Sequence, residues 1–150
     1  MKSICFSLSL VACLLLGSCS DNDHTYNNPN LLDVTVYFTV NLSLLQFNPL
    51  KFPGNAVYVQ GYGNGGVIIA STGPDSYVAY DAADPNHPLT DCSRLKIEGL
   101  EGVCQCDDHN TYNLFTGTVI PDKSAGGDYE YTLQPYQVIP NGNGTLTVTN

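Results

Sequence analysis

The residues of this 150-residue chain best able to bind a metal, move electrons or cross-link are its six cysteines and three histidines. Half of the cysteines (Cys92, Cys104 and Cys106) and His87 fall in one stretch, Asp84 to Asp107, which reads DPNHPLTDCSRLKIEGLEGVCQCD. Thiolates and imidazoles are the soft and borderline ligands of iron–sulfur and zinc sites. In exported proteins, thiols pair instead as disulfides. Cys5, Cys13 and Cys19 belong to an N-terminal segment treated below, so three cysteines remain: one pair and one left over. Cys104 and Cys106 stand two apart and rarely reach bonding geometry in an extended strand. Pairing of Cys92 with Cys106 and pairing of Cys92 with Cys104 both stay open on this arithmetic.

Other chemistries find little support. No nucleophile-elbow sequence surrounds Ser93 or any cysteine, which argues against a hydrolase. Gly61, Gly63, Gly65 and Gly66 are not followed by Lys-Ser/Thr and open no helix, so a hairpin turn explains them better than a phosphate loop. Charged residues make up 13% of the chain and the net charge is −9. That balance excludes a nucleic-acid binder, which needs basic patches, and docking of the folded body on anionic lipid. No enzymatic activity is expected. Tyr58, Tyr62, Tyr77 and Tyr80 suit sheet packing or, as an alternative, a glycan- or peptide-binding face.

The elements that must position this stretch read as β-strands. Ten Tyr, fourteen Gly and nine Pro, with many Val and Thr, predict an all-β domain rich in turns. Strands are expected over 34–40, 56–60, 67–71, 77–80 and 94–97, the last from its polar–apolar alternation. A return segment follows at 112–117 and 119–120. Strands at 133–139 and 145–149 close the domain, joined by Pro140-Asn141-Gly142-Asn143-Gly144, a hairpin signal. Residues 48–55 read as a turn-rich connection. No amphipathic helix of about ten residues or more and no repeat is visible.

The N-terminus is read separately. Lys2 followed by the apolar run Ile4 to Leu16 has the form of an export signal, too short to span a bilayer as a mature helix. Leu16-Gly17-Ser18-Cys19 resembles a bacterial lipobox, which implies removal of residues 1–18 and a lipid on Cys19. Ser20-Asp21-Asn22-Asp23 resembles the acidic tag behind the lipid cysteine of surface lipoproteins in Bacteroidetes-type bacteria. The expected organisation is a signal (1–18), a lipidated cysteine and flexible tether (19–33), and a β domain (34–150). The expected location is the outer membrane, held through lipid on Cys19.

The stretch from Asp84 to Asp107 also resembles part of a Rieske iron–sulfur motif. Such motifs run Cys-x-His, then about fifteen to seventeen residues, then Cys-x-Cys-His, and bind one iron by two cysteines and the other by two histidines. Here sixteen residues separate His87 from Cys104 and two separate Cys104 from Asp107. Further pieces follow in family order: Ala79-Tyr80-Asp81-Ala82 before the first loop, Tyr112-Asn113-Leu114-Phe115-Thr116-Gly117 after the second, then Leu133-Gln134-Pro135-Tyr136-Gln137-Val138 and the closing hairpin. The resemblance covers about residues 55–150 and implies a Rieske-like fold of small antiparallel sheets with two cluster-type loops at the tip.

The departures concern the ligands. His87 and Cys104 stand at ligand positions. Asp107 replaces the second histidine, and Asp84 or Pro85 stands where the first cysteine would. The usual His-x-x-Cys is stretched to His87-x-x-x-x-Cys92, and Asp108-His109 replaces the small residues that follow the last histidine. The resemblance therefore implies a degenerate site. Its cofactor-binding positions, if any cluster or metal binds, are Asp84, His87, Cys104 and Asp107. Family roles pair Cys92 with Cys106. The expectation is no cofactor and a binding or structural role, with an unidentified protein or glycan as partner. The alternatives are electron transfer by a [2Fe–2S] cluster with atypical ligands, a single zinc ion on the mixed O/N/S/O set, or a carbohydrate- or peptide-binding surface lipoprotein.

Overall fold

A computed structural model of the chain describes residues 27–125 and 129–150. The export signal, the lipobox with Cys19, and the acidic tag lie outside the described residues. Among the described residues nine strands form two antiparallel sheets. They are β1 (Tyr37–Asn41), β2 (Ala56–Val59), β3 (Val67–Gly73), β4 (Ser76–Asp81), β5 (Leu95–Glu98), β6 (Glu101–Cys104), β7 (Thr111–Asn113), β8 (Pro135–Pro140) and β9 (Thr145–Thr149). The larger sheet has the order β1-β9-β8-β4-β3-β2 and the smaller β5-β6-β7. The architecture is all-β, as the composition implies. Among the described residues no helix is long and apolar enough to cross a membrane.

Strand β3 explains why there are two cores. Its run Val67-Ile68-Ile69-Ala70 is apolar at every position, and all four are fully buried. Successive side chains of a strand point to opposite faces, so an unbroken apolar run requires cover on both sides. Val67 and Ile69 pack with Val36, Phe38, Val40, Leu146 and Val148 beneath β1 and β9. Ile68 and Ala70 face the other way, onto Leu95, Cys104 and Tyr112 of the smaller sheet and Leu114 just beyond it. The smaller sheet is thus fastened to the larger by a shared apolar layer.

Several boundaries move. The first strand begins at Tyr37 and not at Val34. Leu45–Lys51 forms a 3-10 helix that buries Phe47 and Leu50, starting ahead of the expected turn-rich stretch. Glu101–Cys104 is a strand that the pattern did not reveal, because Glu-Gly-Val-Cys carries one strong strand former. It pairs with β5 across a two-residue turn, Gly99-Leu100, with Gly99 at φ +64°. The return segment shortens to β7, with one bridge from Tyr112 to Val119.

Residues 28–32, inside the stretch expected as a tether, are bonded to the domain. Asn28 is buried, and its amide donates to the carbonyl of Pro85 at 2.8 Å; that of Asn30 donates to the same oxygen at 2.9 Å. The Leu32 N–H donates to Asn64 Oδ1 at 2.8 Å. Asparagines read as tether polarity in sequence are here the partners of a loop carbonyl.

Candidate functional site

The tip is built on the β5–β6 hairpin. Leu95 pairs with Cys104, so the residues before Leu95 and after Cys104 emerge side by side at one end of the smaller sheet. The ladder continues past the strands, with the Gln105 N–H donating to Cys92 O at 3.0 Å. The first loop is closed at its base by Asp84 N–H to Ser93 O at 2.8 Å and by the Ala83–Arg94 bridge. Cys92 and Cys106 therefore lie across from one another and form a disulfide, with Cα atoms 4.9 Å apart. Among the described residues Cys104 is the free cysteine, and it is fully buried.

Asp84 does not sit at a solvent-facing edge. It is fully buried at the centre of a hydrogen-bond network. Its Oδ1 accepts from the Tyr112 hydroxyl and from the Asn86 N–H, the latter at 2.9 Å, and its Oδ2 accepts from Asn110 Nδ2 at 2.9 Å. Asn86 extends the network. Its Nδ2 donates to the Tyr112 hydroxyl oxygen and to Tyr131 O, and its Oδ1 accepts the N–H groups of Glu130 and Tyr131. Asn86, Asn110 and Tyr112 carry the tip; Tyr112 opens a segment of the resemblance, but none of the three stands at a ligand position, and Asn86 and Asn110 were not singled out by the sequence. The available signal was weak: Asn-rich loops favour local backbone bonding, and a buried Tyr needs a hydroxyl partner.

The other expected positions separate. His87 is half-buried; its Nδ1 lies 2.8 Å from Pro88 O, placed to donate to it, and 3.8 Å from Cys106 Sγ. Cys104 Sγ approaches Cys92 O at 3.8 Å. Asp107 is exposed and does not join the buried group. Its neighbour Asp108 faces inward: Oδ2 accepts from Asn110 Nδ2 at 3.1 Å, while Asp108 Oδ1 and Asn110 Oδ1 are buried without a partner among the described residues. The two acidic residues are the central residues of a turn closed by the His109 N–H donating to Cys106 O at 3.0 Å, and the turn sends one acidic side chain in and the other out.

Among the described residues two sets of potential ligand atoms converge, His87 with Cys92 and Cys106, and Cys104 with Cys106 and Asp108. Neither fits a [2Fe–2S] cluster. Cys92 and Cys106 are spent on each other. Burial pushes the Cys104 thiol far above its ordinary range, reinforced by the charges of Asp84 and Asp108 and only partly offset by a hydrogen bond from the Cys106 backbone, whereas ligation requires a thiolate. The orphaned acceptors are carboxylate and amide oxygens, hard donors that such clusters do not favour. Asp84 and Asp107, the residues that would complete the ligand set, lie one inside a saturated network and the other in solvent.

The glycine-rich turn between β2 and β3 also has a structural occupant. Asp81 is fully buried, and its carboxylate sits inside the turn. Oδ2 accepts from Asn64 N–H at 2.6 Å, Asn64 Nδ2 at 3.0 Å and the Tyr136 hydroxyl at 2.7 Å. Oδ1 accepts from the N–H groups of Gly65 at 2.9 Å and Ala83 at 2.8 Å. Successive backbone N–H groups make an anion nest, and here the anion belongs to the chain. Gly63 lies at φ +64°, and a Cβ there would come 2.5 Å from the Asp81 oxygen, so this position requires glycine.

These buried acids give an alkaline signature. Burial first, then Asp84, raises the Tyr112 hydroxyl; burial first, then Asp81, raises that of Tyr136; Cys104 is raised as described. In each case the fold favours the protonated form. The stabilisation is fully present below the unfolded values, 10.0 for tyrosine and 9.0 for cysteine, and is lost as pH rises through the folded ones. Unfolding free energy should therefore hold to about pH 9 and then fall, by about 1.4 kcal/mol per pH unit for each group. Urea unfolding between pH 8 and 11 checks this; a flat profile to pH 11 would contradict the burial of these groups.

Comparison with known proteins gives limited likeness. No family model and no curated protein matches the chain. Among solved structures it is similar to a chain from the complex of reduced oxygenase and oxidised ferredoxin in carbazole 1,9a-dioxygenase. That match has a TM-score of 0.43 and 18% identity, over 65% of this chain and 90% of that one. It is also similar to a protein described as an NADH-dependent nitrite reductase small subunit from Mycobacterium tuberculosis, with a TM-score of 0.40 and 19% identity, over 79% and 97%. A protein described as a nitrite reductase NADPH small subunit aligns with a TM-score of 0.39 and 17% identity, over 74% and 97%.

Proposed function

We propose that this chain is an exported, lipid-anchored Rieske-like domain whose tip is held by a disulfide and a buried carboxylate network in place of a [2Fe–2S] cluster. Its role is then binding or structural, not redox. The observation that carries the reading is the commitment of the would-be ligands: Cys106 to Cys92, Asp84 to Tyr112 and Asn110, and Cys104 to a buried, protonated state. The ordered motif pieces support the family likeness, as does the emergence of both loops at one end of a small sheet. The lipobox at Cys19 and the acidic residues behind it support an outer-membrane location.

Anaerobic purification followed by absorption spectroscopy, EPR after dithionite reduction, and metal analysis tests the tip. The expected result is a colourless protein without stoichiometric iron. A reduced Rieske-type EPR signal would establish the rival electron-transfer reading. Anchoring has its own test: wild type should fractionate with membranes and Cys19→Ala should not. Protease added to whole cells should cleave the domain; full protection would remove the surface location.

A further inference from the structure

A groove of about 510 Å³ lies between the β2–β3 turn and the first loop. Its volume is within the range of small-molecule sites, about 300–1,000 Å³. Tyr58, Gln60 and Tyr62 line one side, and Asp91 and Arg94 come from the first loop.

Both tyrosine rings are held in place from behind. Tyr58 donates its hydroxyl to Gly65 O at 2.9 Å. The hydroxyl end of its ring comes against Gly66, where a Cβ would lie 2.3 Å from it; Gly66, at φ +97°, makes that approach possible. Tyr62 stacks on the buried ring of Phe38, with centroids 4.1 Å apart and planes at 22°. Each tyrosine remains 38% exposed. A fixed aromatic ring with an open side offers contact area at low entropic cost.

The polar groups nearby are unspent. Among the described residues the side chains of Gln60, Asp91 and Arg94 make no hydrogen bond or ion pair, whereas Lys96 and Lys123 are paired with Glu98 and Glu101. An amide, a carboxylate and a guanidinium beside two aromatic faces match a ligand with apolar ring faces and a rim of hydroxyls, which both donate and accept. Such a ligand is a pyranose. Asp91 and Arg94 balance in charge, and a chain of net charge −9 repels polyanions.

We propose that this groove binds a neutral oligosaccharide, with Tyr58 and Tyr62 as the stacking platform and Gln60, Asp91 and Arg94 directed at sugar hydroxyls. The inference rests on the binding role proposed above and names its ligand class. The cluster spectra and the sugar titration have separate readouts, so either can fail without the other.

The test uses the full chain in its soluble Cys19→Ala form, titrated by calorimetry and by amide NMR shifts with linear hexasaccharides of glucose, mannose, galactose and xylose. Hexagalacturonate serves as the acidic control. At least one neutral hexasaccharide should bind and shift the amides of Gln60–Gly66 and Thr90–Arg94. Tyr62→Ala and, independently, Arg94→Gln should each weaken binding about tenfold, while Tyr37→Ala, an exposed tyrosine outside the groove, should not. Arg94→Gln keeps the test sound if Tyr62→Ala fails to fold. Binding of hexagalacturonate only, shifts elsewhere on the surface, or no binding by any of the four sugars would overturn the proposal.

Discussion

Asp81→Asn should lower the melting temperature by about 10 °C. The substitution keeps the volume of the side chain but replaces one acceptor oxygen with an amide group. Five donors converge on the carboxylate, three of them backbone N–H groups. Whichever way the amide turns, at least two donors lose their acceptor and face another donor. Each buried unsatisfied donor costs about 1–3 kcal/mol, so a total of about 4 kcal/mol is expected. In a chain of this size that corresponds to roughly 2–4 °C per kcal/mol. The damage should be local as well as global, because the β2–β3 turn wraps this carboxylate and carries Tyr62. Hydrogen exchange at the Asn64 and Gly65 amides should accelerate well beyond the global change. A melting point within about 2 °C of wild type would show that the nest is not what orders the turn.

Removing the disulfide should cost slightly less. Cys92 and Cys106 are 14 residues apart, and closing such a loop in the unfolded chain is worth about 3 kcal/mol on the chain-entropy model. The double variant Cys92→Ser/Cys106→Ser should lose that amount in urea unfolding and keep its β-sheet circular dichroism. The fold should survive because the two loops are joined in other ways: the β5–β6 ladder runs up to the bond, and the Asp84 network crosses from the first loop to Asn110 and Tyr112. Reduction of wild type by a dithiol should reproduce the shift. An unchanged melting point in reductant would mean that the native protein does not form the bond.

Much of the strand content was legible before any coordinates. Alternation marked β5, the Asn-Gly segment marked the β8–β9 hairpin, and Val67 to Ser71 read as a strand, whose cover on both faces only the structure shows. These signals are local: they depend on the period of side-chain direction and on turn chemistry. Cysteine arithmetic left two pairings open, and the β5–β6 register selects between them. With Leu95 opposite Cys104, it is Cys106 that reaches Cys92, and Cys104 turns into the core. The closeness of the two loops is thus the property of one hairpin, whose second strand was hidden by a Glu-Gly-Val-Cys sequence of weak propensity.

The spacing of a ligand motif is a one-dimensional property, and it placed Asp84, His87, Cys104 and Asp107 on equal terms. Three-dimensional packing ranks them. Asp84 is a carboxylate enclosed by donors that come from Asn86, Asn110 and Tyr112, up to 28 residues away. Asp107 and Asp108 are neighbours in one turn, yet one is exposed and the other points inward. Nothing in the residue types records which carboxylate finds donors, because donors are supplied by whichever segments the apolar layers bring alongside. The same holds for the glycine-rich turn: its composition declared a turn, but that it encloses Asp81 depends on the pairing of β3 with β4 and of β4 with β8. Residue types and spacing by themselves determined an all-β chain with a thiol- and carboxylate-rich pair of loops. Burial and strand register, which no local pattern encodes, decided that the sulfurs cross-link, that the acids hold hydrogen bonds, and that Tyr58 and Tyr62 keep an open side on a groove.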